Sequence, residues 1–196
     1  MKKKMPRGIG LYITLAALLV GGLLTLLVLG PRWLTTAPQD APAAAAAPAS
    51  DARKIRARLF YVDEQGTALR SIEQEVLYGE TTAEQARRIV EAQIAPAPAP
   101  QISAIPPGTK LRTVFFTAAG ELYVDLSAEL QTNHPGGTTN ETLTVYALVS
   151  VLTSNLPAIT GVQILVEGKE VDTLAGHVDL RHPLTKSLEW VVHDTQ

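Results

Sequence analysis

The chain has 196 residues, 46% of them hydrophobic and 18% charged, with a net charge of −2 and no cysteine. That length fits one folded domain, and the missing cysteine excludes disulfides, thiolate nucleophiles, Cys-ligated zinc, iron–sulfur clusters and a lipid-modified N-terminal Cys. Residues 1–34 hold five Lys/Arg and no acid, whereas residues 53–196 hold 12 Lys/Arg against 17 Asp/Glu, so the bulk of the chain is acidic and unsuited to nucleic acid.

Residues 1–7 form a basic segment expected in the cytoplasm. Residues 8–30 then run for 23 positions without a charge. At about 1.5 Å per residue a helix of that length crosses a hydrocarbon core of about 30 Å. Pro31 ends it, and Arg32-Trp33 suits the interface. A cleaved signal peptide has a shorter apolar core, of about 7–15 residues, so an uncleaved transmembrane helix is expected. Lys2, Lys3, Lys4 and Arg7 precede the helix and only Arg32 follows it closely. The excess of cations on one side predicts a cytoplasmic N-terminus and an extracytoplasmic or periplasmic remainder in the cell membrane.

Residues 31–52 are a linker. Thr35–Ala52 contains nine Ala and three Pro, with too few large apolar side chains to build a core. In polyproline II, at about 3 Å per residue, it would reach roughly 50 Å at most, holding a domain off the bilayer.

The domain is placed at 53–196. Arg58–Val62 reads as a strand closed by the turn residues Asp63-Glu64-Gln65-Gly66, and Leu69–Tyr78 reads as the returning strand. Thr81-Thr82-Ala83-Glu84 is a capping box, opening a helix to Ile94 with Ala83, Ala86, Val90 and Ile94 on one face. The run APAPAP stops it. Leu111–Thr117 and Leu122–Leu126 flank Ala118-Ala119-Gly120-Glu121 and predict a hairpin.

After the loop His134-Pro135-Gly136-Gly137, Thr138-Thr139-Asn140-Glu141 repeats the capping-box pattern. The helix it opens, to about Asn155, is apolar nearly all round and is expected to be central. Val162–Val166 is a further strand, and Val171–Leu174 is expected to return beside it. The fold class expected is α/β, in the form of an α+β two-layer sandwich: a mixed sheet with helices packed on one face.

From Ile105 onward several motifs occur in order. They are Ile105-Pro106-Pro107-Gly108-Thr109-Lys110-Leu111, Gly120–Ser127, Glu141 opening a helix, Ala147–Thr153, Val162–Lys169 and Thr173–Asp179. This series resembles the GerMN domain family of bacterial sporulation and germination proteins, most closely over 82–185. Arg181-His182 stands where that family usually has Ser, and Leu130 where it has an aromatic residue. The resemblance implies a fold similar to the ring-building motifs of secretion-system proteins, a place in the cell envelope, and no established catalytic activity.

Four candidate sites follow from the residues. Gly136, Gly137, Thr138, Asn140 and Glu141 surround a helix N-terminus, whose free amides suit a phosphate or carboxylate of a cell-wall fragment. The opposing expectation there is a plain cap made by Glu141 itself. Asp125 and Ser127 with His134 or His177 would supply a hydrolase triad, but no G-x-S-x-G elbow is present, and a strand-end turn bonding backbone amides is the simpler reading. His177 and Asp179 on one strand face, with His182, give too few ligands for structural zinc. Tyr61, Tyr78, Phe115, Phe116, Tyr123 and Tyr146 are enough to line a groove, though strands use such residues for packing. The expectation is therefore a membrane-anchored binding or scaffolding module, not an enzyme, with no metal or cofactor. It would bind an envelope protein, peptidoglycan or a second copy of itself, through an exposed strand edge.

Overall fold

The computed structural model describes residues 53–192. The predicted membrane helix at 8–30 and linker at 31–52 lie outside the described residues, and among those described no helix is long and apolar enough to cross a membrane.

Strands β1 (Lys54–Val62) and β2 (Leu69–Leu77) form an antiparallel hairpin, from Lys54 opposite Leu77 to Val62 opposite Leu69. β1 starts earlier than its apolar run, because the ladder with β2 continues to Lys54 opposite Leu77; exposed ion pairs cross it there, Lys54 with Glu75 at 3.0 Å and Arg56 with Glu73 at 3.9 Å. At the turn, one carboxylate oxygen of Asp63 accepts from the amides of Thr67 and Ala68.

Helix α1 (Thr82–Ile94) has the predicted cap. The Thr81 hydroxyl accepts from the Glu84 N–H at 3.1 Å, while the Glu84 carboxylate reaches back to the Glu80 N–H at 2.9 Å, one residue before the usual position. Its buried face is Gln85, Ala86, Ile89, Val90 and Gln93, so two amides lie within the apolar stripe.

β3 (Leu111–Phe116) and β4 (Glu121–Leu126) form the predicted hairpin, with a bulge between Leu111 and Thr113. Gly120 turns it at φ +87°, with the Thr160 hydroxyl 2.8 Å from where a Cβ would stand. A one-turn helix, α2 (Glu129–Thr132), follows; four residues are too few to show a helical period in the sequence. Helix α3 (Thr138–Asn155) crosses over to β5 (Gly161–Val166), which runs parallel to β4, as a strand–helix–strand connection allows. β6 (Lys169–Glu170) closes the sheet order β3-β4-β5-β6. α3 is buried on almost every side, as expected of a central helix, and packs against β1, β5 and α1. The core continues through Leu59, Leu122, Val124, Leu126, Leu148, Leu152 and Ile164, all within 1% exposure.

The fold is a mixed α+β arrangement with two sheets, which corrects the single sheet expected. The reason lies on the outward edge of β1. Arg58 N–H donates to Asn155 Oδ1 at 2.9 Å, and Asn155 Nδ2 donates to Arg58 O at 2.8 Å. Gln93 does the same for Phe60, at 2.9 and 2.7 Å, and Val62 N–H donates to Ile102 O at 2.9 Å. Side-chain amides from two helices thus stand where a third strand would pair. The return strand at Val171–Leu174 is corrected too: only Lys169–Glu170 pairs with β5, and the chain then leaves the sheet.

Candidate functional site

Gly136 and Gly137 lie at φ +77° and +85°, a backbone region that residues with a Cβ enter at a cost. The two glycines swing the chain so that Gly137 is the N-cap of α3 and Thr138 is already helical. The second capping box therefore does not form, and no side chain caps this end. Asn140 Nδ2 donates to Gly136 O at 2.8 Å, and the Thr142 hydroxyl donates to Thr138 O at 2.8 Å.

Glu141 does not cap its own helix. It is fully buried and faces the chain that follows β6. One oxygen accepts from the Leu174 N–H at 2.8 Å; the other accepts from the His177 N–H at 2.8 Å and from His177 Nδ1 at 3.0 Å. This explains the lost return strand: the amides of Leu174 and His177 bond a carboxylate instead of a ladder. Burial alone raises the Glu141 pKa, but the backbone amides of Ala175, Val178, Leu174 and His177 outweigh it and hold the group ionised below its ordinary range.

His134 completes this corner. Its Nδ1 accepts from the Gly136 N–H at 2.9 Å. Its Nε2 lies 3.2 Å from the Thr144 hydroxyl, which donates to Ala104 O at 2.6 Å. The Thr144 oxygen is then an acceptor, so Nε2 carries the proton and the ring is neutral. Burial pushes its pKa below the ordinary value. The sign for stability follows. A histidine whose folded pKa is depressed contributes fully above its unfolded pKa of about 6.5, and that contribution is lost as pH falls through the folded value. Urea midpoints of the natural chain are expected to drop between pH 7.5 and 5. The drop should shrink in His134→Asn, whose Oδ1 can still accept from Gly136 without titrating. An equal drop in both proteins would refute the assignment.

The other candidates separate. Ser127 Oγ accepts from the Lys110 N–H at 2.9 Å, and Asp125 Oδ1 accepts from the Gly168 N–H at 2.7 Å, so both serve backbone amides. Neither bonds His134 or His177 among the described residues. Asp125 also faces Arg112 at 3.4 Å, and Arg112 reaches Glu167 at 2.7 Å. His177, Asp179 and His182 lie in bends and coil, not on one strand face. His177 is held by Glu141, while Arg181 grips Asp179 at 2.9 and 2.7 Å and holds its carboxyl far below the usual range. Among the described residues no group of three metal-ligating side chains converges. The aromatic residues do not line one groove: Tyr61 is in the core, Tyr78 lies under Arg53 at 3.9 Å, and Tyr146 stacks on Trp190 at 6.4 Å.

Two longer strand edges stay open among the described residues: that of β2 at Ser71, Glu73 and Glu75, which carries charged side chains, and that of β3, the terminal strand of the larger sheet. Thr117 N–H pairs with Glu121 O at 2.9 Å, so alternate residues back along β3, Phe115 and Thr113, turn their backbone to β4. Val114 and Phe116 then present N–H and C=O outward, and among the described residues no hydrogen-bond partner meets them, although α1 packs close to β3 and their side chains rest on the core. Phe115 beside them is 65% exposed, and its cross-strand partner Tyr123 is half-buried. Gln93 and Asn155, the residues that close the opposite risk at β1, were not singled out in the sequence. The available signal was polar: Gln85 and Gln93 share a helix face with Ala86, Ile89 and Val90.

One solved structure shares this architecture, and two others are similar to parts of it. The tandem GerMN domains of the sporulation protein GerM from Bacillus subtilis share the fold at a TM-score of 0.51 and 16% identity, over 68% of this chain and 46% of that one. The first GerMN domain of GerM aligns at a TM-score of 0.48 and 17% identity, over 67% of this chain and 94% of that one. A lipoprotein candidate from Clostridium perfringens aligns at a TM-score of 0.49 and 25% identity, over 68% of this chain and 88% of that one. No curated protein is similar enough to match. The model of the Germane family, described as sporulation and spore germination, matches residues 58–172, from within β1 to just past β6. The chain therefore belongs to the Germane family of sporulation and spore germination domains, to which the ordered motifs from Ile105 to Asp179 had pointed.

Proposed function

We propose that this Germane domain is a non-enzymatic binding module, held in the cell envelope by the N-terminal membrane helix, and that it takes up an extended segment of a partner protein along β3. The observation that carries this reading is the unpaired edge at Val114 and Phe116 beside the exposed Phe115 ring. Free edges invite pairing, and proteins usually blunt them. Here β1 is closed by Asn155, Gln93 and Ile102; β2 is bonded at Leu69 by the chain around Trp190 and Val192, and its remaining edge is blunted by the charged pairs of Glu73 and Glu75. The β3 edge, unlike that of β2, is apolar and β-prone, the form used when an incoming strand supplies main-chain hydrogen bonds and its side chains supply specificity.

A photo-crosslinking residue at position 115 of the full chain, in intact cells, tests this. The expected result is a discrete protein adduct that is lost in Val114→Pro. That substitution removes an outward amide and leaves the bonds to β4 in place. An adduct at twice the chain's mass would make the partner a second copy. Adducts unchanged by Val114→Pro, in a protein with unaltered thermal unfolding, would overturn the reading.

A further inference from the structure

A second surface lies away from the β3 edge and from the Glu141 corner. The segment Lys186–Val192 crosses the hairpin and is pinned to it at Leu69, whose N–H donates to Trp190 O at 2.7 Å and whose carbonyl accepts from Val192 N–H at 2.8 Å. Between this segment, the face of β1–β2 and the last turn of α3 is an open groove of about 300 Å3.

Its polar lining is cationic. Arg58 enters from β1 and Lys186 from the crossing segment. Neither has a carboxylate within 4.0 Å among the described residues, which is also true of Arg53, Arg70, Lys110 and Lys169, whereas Lys54, Arg56, Arg87, Arg88, Arg112 and Arg181 do. Glu73 stands opposite Arg58 in the ladder but turns to Arg56. What sets Arg58 and Lys186 apart is that the two line the same groove, with both side chains exposed and free to meet a ligand. The hydroxyls of Ser71 and Ser154 also line it. The apolar lining is Phe60 at the floor, with Leu188 47% and Val192 38% exposed at the rim. Cations beside uncovered aliphatic surface match a ligand with a charged head and an apolar stem.

We propose that this groove binds an anionic amphiphile, a phosphate ester carrying an alkyl chain. The Arg58 guanidinium offers two parallel N–H donors to phosphate oxygens, and Lys186 adds a point charge. Ser71 and Ser154 donate O–H groups to the same head, and the stem covers Leu188, Val192 and the Phe60 ring. The site is independent of the β3 edge and stands or falls separately.

The test uses the full chain in phosphatidylcholine nanodiscs with Trp33→Phe, which leaves Trp190 as the reporter. Hexyl phosphate is expected to give a saturable change in Trp190 fluorescence. Inorganic phosphate, which has the head only, and hexanol, which has the stem only, should each bind at least tenfold more weakly. Arg58→Gln with Lys186→Gln should weaken hexyl phosphate tenfold or more, and Leu188→Ser should weaken it without changing inorganic phosphate. Both Arg58 and Lys186 are exposed, so these variants should unfold at the temperature of the parent. A short-chain phosphatidylglycerol binding better than a glycerol-phosphate oligomer would identify a lipid as the source. The reverse order, or a response to hexyl phosphate that survives loss of both cations, would overturn the proposal.

Discussion

Glu141→Ala is expected to destabilise the domain by about 4 kcal/mol, the range for removing one partner of a buried, hydrogen-bonded charge. Three donors lose their acceptor together: the amides of Leu174 and His177 and the His177 ring. For a domain of this size that is a fall of roughly 10–20 °C in thermal midpoint. Urea unfolding at an unchanged m-value is the measurement. Glu141→Gln should fall between the two proteins, because one of its positions becomes a donor facing a donor. The Glu141 pKa is lowered in the folded state, so its contribution is present above the ordinary carboxylate range and is lost as pH falls through the folded value. A loss below about 1 kcal/mol in Glu141→Ala would mean that the segment 173–178 is not fastened through this side chain.

Gln93→Leu is expected to cost about 3 kcal/mol. Gln93 is fully buried, and it alone bonds both the N–H and the C=O of the buried Phe60 outside the hairpin. Leucine fills similar space but leaves two buried backbone groups unpaired, at about 1–3 kcal/mol each, offset in part by its own burial. Asn155→Leu makes the control. It breaks the same pair of bonds at Arg58, but that position is exposed, so water replaces the amide and the loss should stay near 1 kcal/mol. Equal losses at both positions would show that burial is not what makes Gln93 matter. Hydrogen exchange at the Phe60 amide should accelerate in Gln93→Leu and stay slow in Asn155→Leu.

The regular elements were legible because they follow local rules. Alternation of apolar residues located the β3–β4 hairpin, and Thr81 with Glu84 located the start of α1. The apolar circumference of α3 identified the central helix. Errors arose where a side chain replaced a backbone partner. The pattern Thr138–Glu141 is indistinguishable from Thr81–Glu84 in one dimension. Only the glycine pair before it, with both residues at positive φ, moves the cap by one position and frees Glu141 to bond a segment 33 and 36 residues away. The single-sheet expectation failed for the same reason, since Gln93 and Asn155 act on β1 from other elements. The triad candidates could be set aside from sequence only on motif grounds; the structure adds that Ser127 and Asp125 are bonded to the amides of Lys110 and Gly168.

The closure of β1 also sets an order of events in time. Arg58 is bonded by Asn155, 97 positions later in the chain. While the polypeptide is being synthesised from its N-terminus, Gln93 and Ile102 can close the edge at Phe60 and Val62 well before the residue that seals Arg58 has been made. The β1 edge is therefore closed in stages, with its Arg58 end unpaired until α3 is complete and most exposed to pairing with other chains in that interval.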